Sequence, residues 1–271
     1  MQKSAINTAS SSNTASSPPG EDTAVTRWRA ATIHLAISAG IGAAVLGLML
    51  AFWYPPPLFQ AMGGIDLALI LVGVDIVMGP VLTLVVFRSG KPGLKFDLAA
   101  IGIVQLAALL YGCHIISLAR PAFIVFVKDQ FQVATVAELE PKRLAQAGNP
   151  QFRAAPWSGP VFVFGDWPKD TVDQQVLVNA ALSGEDLQHF PKYYAPYGDG
   201  TGAILAKAQT LSQLRATEPG AAKRVEEWLA RSGVDARSVL HVPLRGRNAW
   251  VSVLVDRRTA RPVKLLLAER I

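Results

Sequence analysis

An aspartate, Asp75, lies near the centre of an apolar run of 23 residues, Ile65 to Phe87. At ~1.5 Å of rise per helical residue, such a run crosses the ~30 Å hydrocarbon core of a bilayer. The aspartate costs roughly 3 kcal/mol there, whereas the apolar side chains of the run together return at most ~4 to 9 kcal/mol, so the run should insert. Two roles fit Asp75: a hydrogen bond to a neighbouring helix, or contact with a ligand, a proton or a partner.

Two polar side chains of a later apolar run, 97–118, are candidates to meet this aspartate. Helical rise places Asp75 about 18 Å and Tyr111 about 20 Å from the same membrane face. We therefore predict a hydrogen bond from the phenol to the carboxyl group, which is worth about 0.6 to 2 kcal/mol between membrane helices. Gln105 lies lower, between the levels of Asp75 and Thr83, and should join one of them.

No residue set typical of an enzyme is found, and none that would hold a metal or a cofactor. An intramembrane aspartyl protease needs two carboxylates close enough to share a proton. Asp66 lies near the other end of the helix that carries Asp75, and Asp97 is separated from Asp75 by about 20 Å of depth. His189 and His241 have no second ligand at metal-binding spacing, and no nucleophile turn is present. We therefore do not predict an enzyme.

The composition is typical of a membrane protein. Of the 271 residues, 51% are hydrophobic and 17% are charged, and the mean hydropathy is +0.29. The net charge is +6, but basic residues are expected beside the cytoplasmic ends of membrane helices, and no nucleic-acid-binding signature accompanies them. Nucleic acid is therefore excluded as a partner, and the lipid bilayer is expected.

Three transmembrane helices are predicted after a disordered tail at residues 1–26, which is rich in Ser, Thr, Ala and Pro. The spans are about 30–53, 65–87 and 97–118, within a membrane region at 27–120. Basic residues flank the start of the first span and the loop between the second and third, whereas the first loop has none. The positive-inside rule then places the N-terminus in the cytoplasm and everything after the third span outside, in the periplasm of a bacterium.

Small residues recur every fourth position along the first span, at Ala39, Ala43, Gly47 and Ala51. Such a stripe lets another helix approach closely. Because small residues are common in membrane helices, the pattern also fits a helix without any partner on that face.

Residues 121–271 are expected to form a single α+β domain with an antiparallel sheet. Short β-branched runs predict a hairpin at 122–136, a strand at 161–164 and a meander from residue 238 to residue 268. Helical spacing predicts helices at 170–182 and 219–230, the second ended by Gly233. The Tyr-rich segment FPKYYAPYGDG is predicted to be a loop, either packed on the domain or forming a binding edge.

Several segments of the chain resemble the type IV pilin accessory proteins, which are inner-membrane helpers encoded with particular pilins. They include RWRAATIHLAIS, GVDIVMGPVLTLVVF, LKFDLAAIGIVQLAALLYG and PLRGR…VSVLVDRRTARPV. The resemblance covers roughly residues 27–271 and is most specific across the second and third spans. The residues matching the family's motifs are Asp75, Gly79, Pro80, Lys95, Phe96, Asp97, Gln105, Tyr111 and Gly112.

The resemblance implies a non-enzymatic chaperone of the bacterial inner membrane. Such a protein associates with its cognate type IV pilin, which waits in the membrane on an apolar N-terminal helix, and promotes or modulates pilus assembly, in contact with the pilin and with the pilus assembly machinery. Five candidate partner-binding residues follow: Asp75, Gly79, Pro80, Gln105 and Tyr111. The alternative is a membrane-anchored sensor whose periplasmic domain binds a small ligand.

Overall fold

The computed structural model describes residues 26–270, and for residues 71, 72, 74, 75, 269 and 270 it describes the backbone alone. The predicted disordered tail lies outside the described residues, apart from Thr26. That threonine caps the first helix, because its hydroxyl accepts a hydrogen bond from the backbone N–H of Arg29 at 3.3 Å.

Three long helices occupy the first part of the described chain: α1 (Arg27–Phe52), α3 (Gly64–Val86) and α4 (Leu94–Ala119). Their bounds agree with the predicted spans to within three residues. Both α1 and α4 are long and apolar enough to cross a membrane, whereas the described apolar segment of α3, Ile76–Val86, is shorter. The second predicted span, 65–87, therefore stays a prediction.

The central helix of this part is α3, which packs along α1 on one side and against α4 on the other. Its N-terminus follows Gly63 and that of α4 follows Gly93, both with positive φ, a conformation that glycine adopts without strain. Pro80 lies inside α3, which continues through it.

The second part of the chain is an α+β domain built on one seven-stranded sheet in the order β4-β3-β1-β2-β5-β6-β7. The strands are β1 (Pro121–Val127), β2 (Gln130–Thr135), β3 (Val161–Gly165), β4 (Tyr194–Pro196), β5 (Val239–Arg245), β6 (Ala249–Asp256) and β7 (Pro262–Arg270). The remaining helices are α2 (Leu58–Ala61), α5 (Pro141–Ala145), α6 (Thr171–Leu182), α7 (Thr201–Lys207), α8 (Leu211–Thr217) and α9 (Pro219–Ser232).

The sheet is mixed, and the prediction of an antiparallel sheet was wrong. The β1–β2 hairpin and the β5–β6–β7 meander are antiparallel as predicted, but β1 pairs with β3 and β2 pairs with β5 in parallel. Parallel neighbours need long crossover connections, and here α5 lies between β1 and β3. Turn residues reveal hairpins in a sequence, whereas pairing between distant strands leaves no local pattern.

Helices cover both faces of the sheet. On β1, Ile124 and Phe126 face a core that includes Ile204 of α7, whereas Phe123 and Val125 face a core that includes Leu177 of α6. Helices α8 and α9 cover the second face over β5 to β7. Because helices cover both faces, all seven residues of β1 are buried. This explains why the sequence of β1, PAFIVFV, is continuously apolar.

The predicted loop FPKYYAPYGDG contains the short edge strand β4, so this part of the prediction was wrong. Its tyrosines pack on the domain: Tyr194 is 4% exposed and donates a hydrogen bond to the carbonyl oxygen of Gln188, and Tyr197 donates to that of Ala260 at 2.7 Å. Burial raises the pKa of both phenols well above the usual value. The packing interpretation of the segment is thus confirmed.

Candidate functional site

A layer of polar contacts joins the three long helices. His34 of α1 and Thr83 of α3 form a hydrogen bond of 2.6 Å between Nδ1 and Oγ1, and Thr83 is only 2% exposed. Between membrane helices such bonds contribute about 0.6 to 2 kcal/mol. The sequence did not predict this bond, because nothing local indicates which histidine faces which threonine.

Gly79 lies one helical turn before Thr83 and brings the third helix into the same layer. A Cβ atom at this position would overlap the side-chain amide of Gln105 on α4 and lie 2.8 Å from Nε2 of His34. The absence of a side chain therefore allows α1 and α4 to approach α3 here. Gln105 lies at the level of Gly79, between Asp75 and Thr83, as helical rise predicted.

The other candidate residues have different surroundings. Asp75 lies on α3 one turn before Gly79, and its side chain is outside the part of the chain that the structure describes. Pro80 is half-buried, whereas Tyr111 of α4 is 68% exposed. The hydrogen bond between Tyr111 and Asp75 stays a prediction.

The predicted stripe of small residues does not mediate the packing of α1 on α3. Its members Ala43, Gly47 and Ala51 are exposed, and a Cβ atom at Gly47 would meet no described atom within 4 Å. The buried positions of α1 are instead Ala31, Ser38, Gly42 and Met49. The stripe therefore lies on an outer face of the three helices.

The loop between α1 and α3 enters the core of the sheet domain, which the sequence analysis did not predict. Leu58 and Ala61 are fully buried, and α2 packs on β6 and β7. The backbone N–H of Asn248, in the β5–β6 turn, donates to the carbonyl oxygen of Ala61 at 2.8 Å, and its side chain donates to Asp66 of α3 at 3.2 Å. The helices and the domain are thus held together at a second point besides the α4–β1 connection.

A cluster of aromatic residues and an arginine lies where the helices meet the domain. The rings of Trp53 and Trp157 are 5.5 Å apart, and the Arg120 guanidinium lies 5.5 Å from the Trp53 ring. The backbone N–H of Gly159 donates to the carbonyl oxygen of Phe52 at 2.6 Å. Burial raises the pKa of the nearby Tyr54 phenol to about 12. These contacts fix the orientation of α1 relative to the domain.

The carboxylates at the two ends of the helices, Asp66 and Asp97, are widely separated. Asp66 accepts a hydrogen bond from the Asn248 side chain at the domain end of the helices, and Asp97 forms a salt bridge with Lys91 at the opposite end. Within residues 26–270, as far as they are described, no group of three or more His, Cys, Asp or Glu side chains is placed to hold a metal ion.

His241 is a buried histidine of the domain, 3% exposed on β5. Its backbone exchanges two hydrogen bonds of 2.8 Å with Gln209. Burial lowers the pKa of its imidazole from 6.5 to about 4, because a buried cation loses its hydration. His241 therefore remains neutral at physiological pH.

We expect this histidine to make the domain less stable in mild acid. Between pH 6.5 and about 4 the unfolded chain binds a proton that the folded chain does not, so the free energy of unfolding should fall by up to ~3 kcal/mol as the pH drops through this window. Urea denaturation of the detergent-solubilised protein at several pH values measures this fall. In His241→Gln the fall should shrink, whereas in His189→Gln, at a half-buried histidine, it should persist. An equal fall in all three proteins would contradict the assignment.

Long apolar helices fixed at three points to an α+β domain define a helix-anchored protein that carries a large folded domain on one side. A family model described as fimbrial assembly protein FimB matches residues 22–63. The chain is 30% identical over 231 residues to a fimbrial assembly protein of serogroup E1 from Dichelobacter nodosus, covering 82% of this chain and 88% of that relative. No solved structure matches the chain.

Two further similar proteins from Dichelobacter nodosus are also named fimbrial assembly proteins. The serogroup I fimbrial assembly protein is 32% identical over 185 residues, which are 67% of this chain and 71% of the relative. The protein of serogroups C1 and C2 is 34% identical over 118 residues, which are 42% of this chain and 89% of the relative. The chain belongs to this family of fimbrial assembly proteins, and the resemblance to type IV pilin accessory proteins is confirmed.

Proposed function

We propose that this protein is an inner-membrane accessory protein that binds a cognate type IV pilin and promotes or modulates its assembly into the pilus. The observation that carries the proposal is the family membership, because relatives named fimbrial assembly proteins align with most of the chain. The role is that of a chaperone. It needs no cofactor and no catalytic residue.

The length and flanking charges of the helices support a membrane location with three spans. At ~1.5 Å per residue, the 26 residues of α1 and of α4 each extend about 39 Å, and the 23 residues of α3 extend about 35 Å. Each length exceeds the ~30 Å of a hydrocarbon core. Arg27 and Arg29 begin α1, and Arg88, Lys91 and Lys95 flank the α3–α4 turn, so this end belongs in the cytoplasm and the domain in the periplasm.

The three attachments of the domain to the helices support simultaneous contact with both parts of a membrane-anchored partner. Because α2 is buried in the domain core, the domain is held at a defined position above the helices. A pilin has an apolar helix in the membrane and a globular head outside. The pilin helix would then meet the long helices of this protein, and the head would meet the domain, at surfaces already held in place. Preorganisation of this kind lowers the entropic cost of binding.

Co-purification from native membranes after crosslinking tests the proposal. We expect the cognate pilin to be recovered with the wild-type protein, and surface pili to decrease in a strain that lacks it. Asp75→Asn should weaken pilin recovery at an unchanged protein level if the carboxylate contacts the partner, whereas Asp66→Asn, on the same helix, should not. Normal pili in the deletion strain, together with no recovered pilin, would refute the proposal.

A second candidate function is a sensor that binds a small ligand, and one observation favours it. A groove of about 880 Å³ lies between the domain and the outer end of α4. Its lining includes Gln188, whose buried Oε1 atom has no hydrogen-bond partner among the described residues, and the exposed residues Arg245 and Arg247. Co-purification of a cytoplasmic signalling protein instead of a pilin would favour this function.

A further inference from the structure

A groove runs between α1 and α4, which lie on either side of α3. Two cavities form it, one of about 180 Å³ toward the cytoplasmic end and one of about 630 Å³ toward the domain, and the lining of the second begins one helical turn after that of the first ends on both helices. Ile37, Ile41 and Leu48 line the α1 wall, and Leu106 and Cys113 line the α4 wall. We call this feature the α1/α4 groove.

The α1/α4 groove extends through almost the whole thickness of a membrane. On α1 its lining begins at His34 and ends at Phe52, 18 residues further on, which corresponds to about 27 Å of helix. A lipid acyl chain reaches through one leaflet only, about half of the ~30 Å hydrocarbon core. A transmembrane helix has the length that this groove requires.

The lining also suits a helix as the occupant. Helices associate in membranes through close packing at small residues and through polar side chains. Ser38 and Gly102 line the narrower cavity together with His34, and a Cβ atom at Gly102 would meet none of the described atoms within 4 Å. The backbone of an inserted helix can therefore approach closely in the narrower cavity, and the large side chains of that helix would fill the wider cavity.

Large apolar side chains on the groove walls are left uncovered by the other residues that the structure describes. Ile37 is 56% exposed, Leu48 is 59% exposed and Leu106 is 56% exposed. These side chains belong to the α1 wall and the α4 wall. One helix inserted between the walls therefore contacts both of them, whereas a helix on the side of α1 that faces away from the groove contacts α1 alone.

At its outer end the groove continues onto the domain. Trp157 and Ser158, from the segment before β3, line the wider cavity beside Trp53. The contact of Gly159 with Phe52 holds this segment against the end of α1. An occupant therefore touches the domain as it leaves the membrane.

We infer that the α1/α4 groove receives a single transmembrane helix of a partner protein and, resting on the proposed function, that this helix is the apolar N-terminal helix of the cognate pilin. The small-residue stripe of α1 is the competing surface. It lies on the opposite side of the same helix, since residues turn by about 100° per position.

Site-specific photo-crosslinking in native membranes separates the two surfaces. The full-length protein carries p-benzoylphenylalanine in place of Ile41 or Leu48 in the groove, and in place of Ala43 or Gly47 on the stripe. We expect pilin crosslinks at least tenfold stronger from the two groove positions. Equal or stronger crosslinks from the stripe would overturn the assignment, while recovery of pilin would leave the proposed function intact.

A filling substitution gives an independent readout. Gly102→Leu adds a side chain inside the groove, and Gly47→Leu adds the same side chain on the stripe, each at an open position. We expect Gly102→Leu to lower pilin recovery at least fivefold at an unchanged protein level, and Gly47→Leu to leave it unchanged. Unchanged recovery in Gly102→Leu would refute the groove as the docking site, whereas no pilin with any variant or with the wild type would refute the proposed function itself.

Discussion

Replacement of Leu58 by Ala should lower the free energy of unfolding by about 2 to 5 kcal/mol, the range for a fully buried leucine. Leu58 has no exposed surface and packs in the main core of the domain. The change removes apolar contacts and leaves a cavity between α2 and the sheet. Urea denaturation of the detergent-solubilised protein, followed by tryptophan fluorescence, measures the loss.

The matched control is Leu182→Ala at the end of α6, where the side chain is 85% exposed. It should change the free energy of unfolding by no more than about 0.5 kcal/mol. Equal stability of the two variants would mean that α2 is not part of the core in solution. The domain would then be attached to the long helices by the α4–β1 connection and by the contacts of Phe52 and Trp53 with the segment before β3.

Replacement of Gly79 by Val should separate the three long helices. The new side chain would overlap the amide group of Gln105 and press on His34, whose hydrogen bond to Thr83 lies one turn away. Overpacking of this kind costs about 1 to 3 kcal/mol, and loss of the His34–Thr83 bond adds to it. A fall in the thermal unfolding midpoint of the detergent-solubilised protein is the expected result.

Gly73→Val is the matched control on the same helix. A Cβ atom at Gly73 meets no described atom within 4 Å, and the two substitutions carry the same cost in helix propensity. The thermal midpoint of Gly73→Val should therefore stay closer to that of the wild type. If Gly79→Val kept normal stability but lost pilin recovery, Gly79 would bind the partner instead of packing the helices.

Much of the local structure was determined by the sequence itself. The ends of α1, α3 and α4 were predictable because apolar length, flanking charge and glycine or proline at the turns act within a few residues. The same holds for the β1–β2 hairpin, the turn after β6 and the end of α9 at Gly233, which adopts positive φ. Among the three long helices, helical rise alone placed Gln105 between the levels of Asp75 and Thr83.

Contacts between distant segments were decided only by the tertiary structure. The parallel pairing of β2 with β5, the burial of α2 in the domain core and the hydrogen bond between His34 and Thr83 each join residues far apart in the chain. The tertiary structure also decided which face of α1 packs against the other helices. The sequence analysis singled out the small-residue stripe, whereas the buried face carries Ser38 and Gly42. Local propensities determine where helices and strands begin and end, but the energy that selects among their pairings comes from surfaces that meet only after the chain has folded.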